Sequence, residues 1–99
     1  MNSQSNYIKV IRKSNWTIER DGTLPARVIM WKPDDEIARH SLKTESQYTT
    51  HIEVEDERGN YSFVWGHYDM TRGQAEADFG NRCRQLEVGE DKLVGNLVN

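Results

Sequence analysis

The sequence predicts an α+β domain: an antiparallel β-sheet of four to six strands with one C-terminal helix packed on one face. Three observations carry this reading. From Tyr7 onward, short segments rich in β-branched and aromatic residues alternate apolar with polar positions. Two of these segments, Tyr48 to Asp56 and Tyr61 to His67, flank the turn-forming stretch Glu57-Arg58-Gly59-Asn60 and so read as a hairpin. Thr71-x-x-Gln74 then opens a run whose apolar residues, Ala75, Phe79, Cys83 and Leu86, recur at helical spacing.

In chain order, residues 1–6 read as a disordered leader and 7–99 as a single domain. Tyr7 to Ile11 is the first strand, and Lys13-Ser14-Asn15 is a turn signal. Trp16 to Arg20 alternates as a second strand before the turn dipeptide Asp21-Gly22. Ala26 to Lys32 is the next strand, ended by Pro33, which has no N–H for a central ladder. Pro33 to Gln47 reads either as a short helix with Asp34, Asp35 and Glu36 in its first turn, or as a loop with a short strand at Ile37 to Leu42. If the hairpin is symmetric about Arg58-Gly59, Val54 faces Phe63, Ile52 faces Trp65 and Thr50 faces His67. One face then carries Ile52, Val54, Phe63 and Trp65. The wet face carries Thr49, His51, Glu53, Glu55, Ser62 and Val64. The helix is expected over Arg72 to Glu87, with Asp78 and Arg82 paired on its solvent side and Gly89 as its C-cap. Gly80 inside it suggests close approach of a backbone or a partner. Glu90 to Asn99 reads as a last strand or turn packed on the domain, or as a docking segment.

Composition narrows the function classes. A chain of 99 residues buries only roughly 60 to 65% of its unfolded surface, so the core is thin and a few aromatic rings supply much of it. The longest apolar run, Val28-Ile29-Met30-Trp31, is far shorter than a membrane span, and the polar start MNSQSN offers no signal-peptide core. One cysteine, Cys83, excludes an intramolecular disulfide and fits a reducing, cytoplasmic compartment. Net charge is −3, with residues 1–44 at +3 and residues 45–99 at −6. That balance argues against non-specific phosphate binding and for a partner with a basic surface.

Four groups of residues bear on chemistry. In Phe63-Val64-Trp65-Gly66-His67-Tyr68-Asp69, His67 suits a general base oriented by Asp69, because imidazole titrates near neutrality and a carboxylate fixes its tautomer. No nucleophile motif or phosphate-cradling loop accompanies it, so a strand end running into a helix cap is the preferred reading. His40, His51, His67 and Cys83 do not converge, and neither a metal site nor a cofactor is expected. Tyr61, Phe63 and Trp65 on alternate positions suit base stacking, but core packing under the helix stripe is preferred. Lys9, Arg12, Lys13, Arg20 and Arg27 are the residues for a nucleic-acid-binding alternative.

The acidic run Glu53, Glu55, Asp56 and Glu57, with exposed Arg82 and Arg84, forms the expected partner-binding set. In size, acidic balance and sheet-plus-helix layout the chain resembles small phage or mobile-element accessory proteins, including anti-CRISPR and other anti-defence inhibitors. That resemblance implies a non-enzymatic inhibitor that occludes a basic, nucleic-acid-binding surface of a partner protein. The alternatives are an RNA- or DNA-binding domain using the basic early strands, and a small enzyme centred on His67 and Asp69. The open sheet edges of so small a domain also permit a homodimer.

Overall fold

The computed structural model describes residues 8–18, 22–33 and 47–91. Four strands, β1 (Ile8–Lys13), β2 (Ala26–Pro33), β3 (Tyr48–Glu55) and β4 (Tyr61–Met70), precede helix α1 (Arg72–Leu86). Every pairing is antiparallel and the sheet order follows the chain, β1-β2-β3-β4. The chain thus has the predicted α+β architecture. The expected leader, Arg20, His40, the two-way segment after Pro33 and the tail beyond Asp91 lie outside the described residues.

Of the expected second strand, Trp16 to Ile18 is described and is not a strand. Side-chain hydrogen bonds replace its ladder. Thr17 donates its N–H to Ala26 O at 2.8 Å and accepts the Ala26 N–H on Oγ1 at 3.0 Å, while Ser14 Oγ accepts the Val28 N–H at 2.8 Å. The first strand therefore pairs with β2. After α1 the chain returns along the other side of β1, where Asn15 N–H donates to Gly89 O at 2.8 Å and Asp91 N–H to Lys13 O at 2.7 Å. Arg12 meets Glu90 there at 2.6 Å. Glu90 and Asp91 thus pack on the domain and cover the end of β1 around Ser14, and β4 is the edge strand at the other side of the sheet.

Thr71 caps α1 as predicted: its Oγ1 accepts the Gln74 N–H, and Gln74 Oε1 accepts the Thr71 N–H at 2.9 Å. The helix ends earlier than expected. Glu87, not Gly89, takes the left-handed conformation at φ 58°, and Val88 turns back onto the core. A Cβ on Gly80 would meet only Arg84 Nη1, at an ordinary 3.6 Å, so no backbone approaches there. Ala75, Phe79 and Cys83 pack against Val28, Met30 and Ile52, with Ile11, Val54, Val64, Met70 and Leu86 around them. Phe79 is the largest fully buried side chain, and its truncation to Ala is expected to cost about 3–5 kcal/mol.

The β3–β4 register corrects the expected faces. The connecting loop holds five residues, Asp56 to Asn60, because the Asp56 carboxylate accepts the N–H groups of Arg58 and Asn60 at 2.8 and 2.9 Å. Ile52 therefore faces Val64, Glu53 faces Phe63 and Val54 faces Ser62. With a side-chain period of two, this shift sends Val64 to the helix and Phe63 to the opposite face. A bulge then places Trp65 and Gly66 together opposite His51, and the predicted Thr50–His67 pair is restored. A second bulge holds Tyr68 and Asp69. Trp65 and Asp69 carry the left-handed conformations, at φ 52° and 58°.

Candidate binding surface

The register puts Tyr61 and Phe63 on the face of the sheet away from α1, where Trp31 and His51 also lie. Cross-strand alternation places Arg27, Ile29 and Trp31 of β2, Thr49, His51 and Glu53 of β3, and Tyr61 and Phe63 of β4 on that face. Tyr68 joins them through a bond to His51. The ring contacts fall into two groups, one centred on His51 and one pairing Trp16 with Tyr61. His51 lies 5.2 Å from both Phe63 and Tyr68 and 5.9 Å from Trp31, and Trp16 lies 5.7 Å from Tyr61. On β4 these rings are open to solvent, with Tyr61 58% exposed, Phe63 38% and Tyr68 59%, and Trp65, in the bulge between them, is 74% exposed. Core packing was the expectation for Tyr61, Phe63 and Trp65, and the hairpin register overturns it.

Beneath the rings the polar groups are matched. Trp31 Nε1–H donates to His51 Nδ1 at 3.0 Å, and His51 Nε2 lies 2.8 Å from the Tyr68 hydroxyl. Burial, then the positive charges of Arg82 and His67, holds the His51 ring below its ordinary value, which keeps it neutral. Arg27 bonds Glu53 at 2.6 Å and lies 4.4 Å over the Trp16 ring. Gly66 makes room for this layer. A Cβ there would stand 2.5 Å from His51 Nε2 and from the Tyr68 ring.

The helix side holds a second polar cluster. Asp78 Oδ2 accepts from Thr50 Oγ1 at 2.5 Å, faces His67 Nδ1 at 2.9 Å and Arg82 Nε at 3.4 Å. Burial pushes the Asp78 carboxyl up, but the bonds from Thr50 and His67 and the charges of His67 and Arg82 outweigh it and hold it below the usual carboxylate range. Burial also pushes Arg82 down against the pull of Asp78, and its Nη1 is buried without a hydrogen-bond partner. The carboxylate that faces His67 Nδ1 is that of Asp78. His51 and His67 lie on opposite sides of the sheet, as expected. Two shallow hollows, of about 340 and 390 Å³, lie at the hairpin tip and between the β1–β2 loop and the end of α1. Neither of these two includes His67. Among the described residues, no group of three His, Cys, Asp or Glu is placed to hold a metal ion.

The predicted partner-binding set is divided. Glu53 is 8% exposed and bound to Arg27, because the supposed wet face is covered by rings. Arg82 is 5% exposed, since the helix stripe is broad enough to draw position 82 in beside Phe79. Glu55, half-buried, and Asp56 and Glu57, exposed, remain at the hairpin tip, and exposed Arg84 is hydrogen-bonded to Asn81. Among the described residues, the basic early side chains do not form one patch. Arg12 is taken up by Glu90 and lies over Phe79, Arg27 by Glu53 and Trp16, while Lys9 and Lys13 fall on opposite faces. The exposed rings of β4 are what sequence reasoning assigned elsewhere. The signal was present in Gly66, an isolated glycine amid strand aromatics, which marks a bulge.

No family model matches the chain, and neither the curated proteins nor the solved structures contain a significant match to it. No helix among the described residues is long and apolar enough to cross a membrane.

Proposed function

We propose that this chain is a non-enzymatic protein-binding module whose contact surface is the aromatic edge strand β4 together with the acidic hairpin tip, and that it takes a basic segment of a partner protein. One observation carries the reading: four exposed rings stand on one open strand, beside a tip where Glu55, Asp56 and Glu57 outnumber Arg58. Exposed aromatic clusters of this kind are enriched at interfaces, and electron-rich ring faces attract Lys and Arg side chains. The charges deeper in the face are already paired, so the groups left for a partner are rings and carboxylates. Both favour a cation. A partner whose basic surface itself holds nucleic acid would be blocked by such contact, which is the finer, inhibitory form of the proposal.

The test uses an extended peptide of about twelve alternating Arg and Thr residues. Its Glu/Thr counterpart and oligothymidylate serve as competitors, and binding is read by fluorescence anisotropy at low and high salt. The basic peptide should bind best, weaken with salt, and lose at least about tenfold in affinity to a Trp65→Ala/Tyr68→Ala variant. Equal binding by the wild type and that variant overturns the proposal. Preference for oligothymidylate replaces it with base stacking on the rings.

A further inference from the structure

We infer that the Trp31–His51–Tyr68 chain fixes the Tyr68 hydroxyl as an outward hydrogen-bond donor, making Tyr68 the residue that reads an acceptor, such as a backbone carbonyl, on the partner segment. The inference rests on the binding surface proposed above and follows from donor bookkeeping along three strands. An indole nitrogen can only donate. Trp31 Nε1 lies 3.0 Å from His51 Nδ1, so Nδ1 must be the bare, accepting nitrogen of the ring. The proton of a neutral His51 is therefore on Nε2. That nitrogen is 2.8 Å from the Tyr68 oxygen and donates to it. One lone pair of the Tyr68 oxygen is thus occupied from below, and its own proton has to point away from His51.

Two further features keep this direction fixed. His51 is buried, bonded at one ring edge by Trp31 and at the other by Tyr68, and faced by Phe63, so turning the ring over would break both bonds. Gly66 lets the Tyr68 ring lie close against His51, where any larger residue would push it off. Tyr68 is well exposed, so the donor meets whatever lies on the face. Donors arranged head to tail also polarise one another, so the terminal O–H is a better donor than an isolated tyrosine's. A cationic side chain on the neighbouring rings and an acceptor at Tyr68 together describe a basic segment in extended conformation, in which side chains and carbonyls both face the platform.

The first readout needs no ligand. Long-range ¹⁵N spectra of the imidazoles at neutral pH should show His51 with a bare Nδ1 and a protonated Nε2. A reversed or doubly protonated ring overturns the inference. Trp31→Phe, which keeps a ring but removes the donor, should replace that single tautomer with a mixture. The second readout is affinity for the Arg/Thr peptide. Tyr68→Phe, which keeps the ring, should weaken binding about three- to tenfold, the span expected for one neutral hydrogen bond, and Tyr68→Ala should weaken it further. If Tyr68→Phe binds as the wild type does while Tyr68→Ala does not, the surface stands and the donor role falls. If the wild type does not bind the peptide, the surface reading falls, and the tautomer alone decides whether the donor is built as described.

Discussion

Removing the Asp78 carboxylate is the perturbation whose cost is best fixed by the structure. Three groups converge on its Oδ2: the hydroxyl of fully buried Thr50, the ring of His67, and the guanidinium of Arg82. In Asp78→Ala, Thr50 loses its acceptor and Arg82 keeps a charge in a place that water does not reach. Stranding one member of a buried pair costs about 3–5 kcal/mol. Asp78 itself is partly open to solvent, so the lower end of that range, about 3 kcal/mol, is expected. A domain of this size has roughly 5–15 kcal/mol in total. With a urea m value of about 1 to 1.5 kcal/mol/M, the unfolding midpoint should fall by about 2 to 3 M. The second variant isolates the cause. Arg82→Met removes the stranded charge, so Asp78→Ala/Arg82→Met should be more stable than Asp78→Ala alone. A loss below about 1 kcal/mol in Asp78→Ala, or a double variant in which the two costs simply add, would refute the account of Asp78 as the counter-charge of a buried guanidinium.

Three other outcomes follow from the same coordinates. Stability should fall on acidification: His51 is held below its ordinary 6.5, so the unfolded chain takes up a proton that the folded chain refuses. That contribution is complete above about 6.5 and is lost as pH falls from there toward the folded value. Asp78, held below 3.8, adds a loss at lower pH still; urea midpoints that stay level from about pH 7 to about pH 4 would contradict the His51 contribution, and midpoints that stay level from there to about pH 2 the Asp78 one. Glu53→Lys should lower the melting temperature by more than about 10 °C, because it sets a cation at a buried position against half-buried Arg27, whereas a residue that served only as a surface charge would leave melting unchanged. Gly66→Ala should cost about 1–3 kcal/mol in chemical denaturation, from the contact its Cβ makes with His51 and Tyr68, and a neutral result would mean that Tyr68 does not lie across the backbone there.

Where local chemistry decides structure, the sequence was legible. Thr71 and Gln74 announce the start of α1 because their capping bonds span only three residues, and β2 and β3 read as strands because short runs of β-branched and aromatic residues mark them and turn residues bound them. The face of β4 was not legible, since it hangs on whether the turn has four residues or five. Asp56 makes it five by accepting two backbone N–H groups, a choice that competes closely with the symmetric turn about Arg58-Gly59. One residue of difference exchanged Phe63 for Val64 at the helix, and with them the reading of the whole surface. Arg82 was misplaced for a different reason. Its charge argues for solvent, and only the nearby Asp78 makes its burial tolerable.

The two faces of the sheet then divide the work in a way that bears on binding. Against α1, aliphatic residues and Phe79 form the core, and Asp78 gathers the polar groups at its margin. On the other face, Arg27 is satisfied by Glu53 and Trp16, and His51 by Trp31 and Tyr68, so the floor beneath the exposed rings is already bonded before any partner arrives. Tyr61, Phe63 and Tyr68, held in this way, lose little freedom on association, and the ordering cost that usually erodes affinity is correspondingly small for them. The platform should therefore keep its shape on binding. Chemical-shift changes on adding the Arg/Thr peptide should be confined to Tyr61, Phe63, Trp65, Tyr68 and the hairpin tip. Shifts spreading to Val28, Met30 and Phe79 would mean that the sheet rearranges to bind, and that the rings are not the preorganised surface their bonding implies.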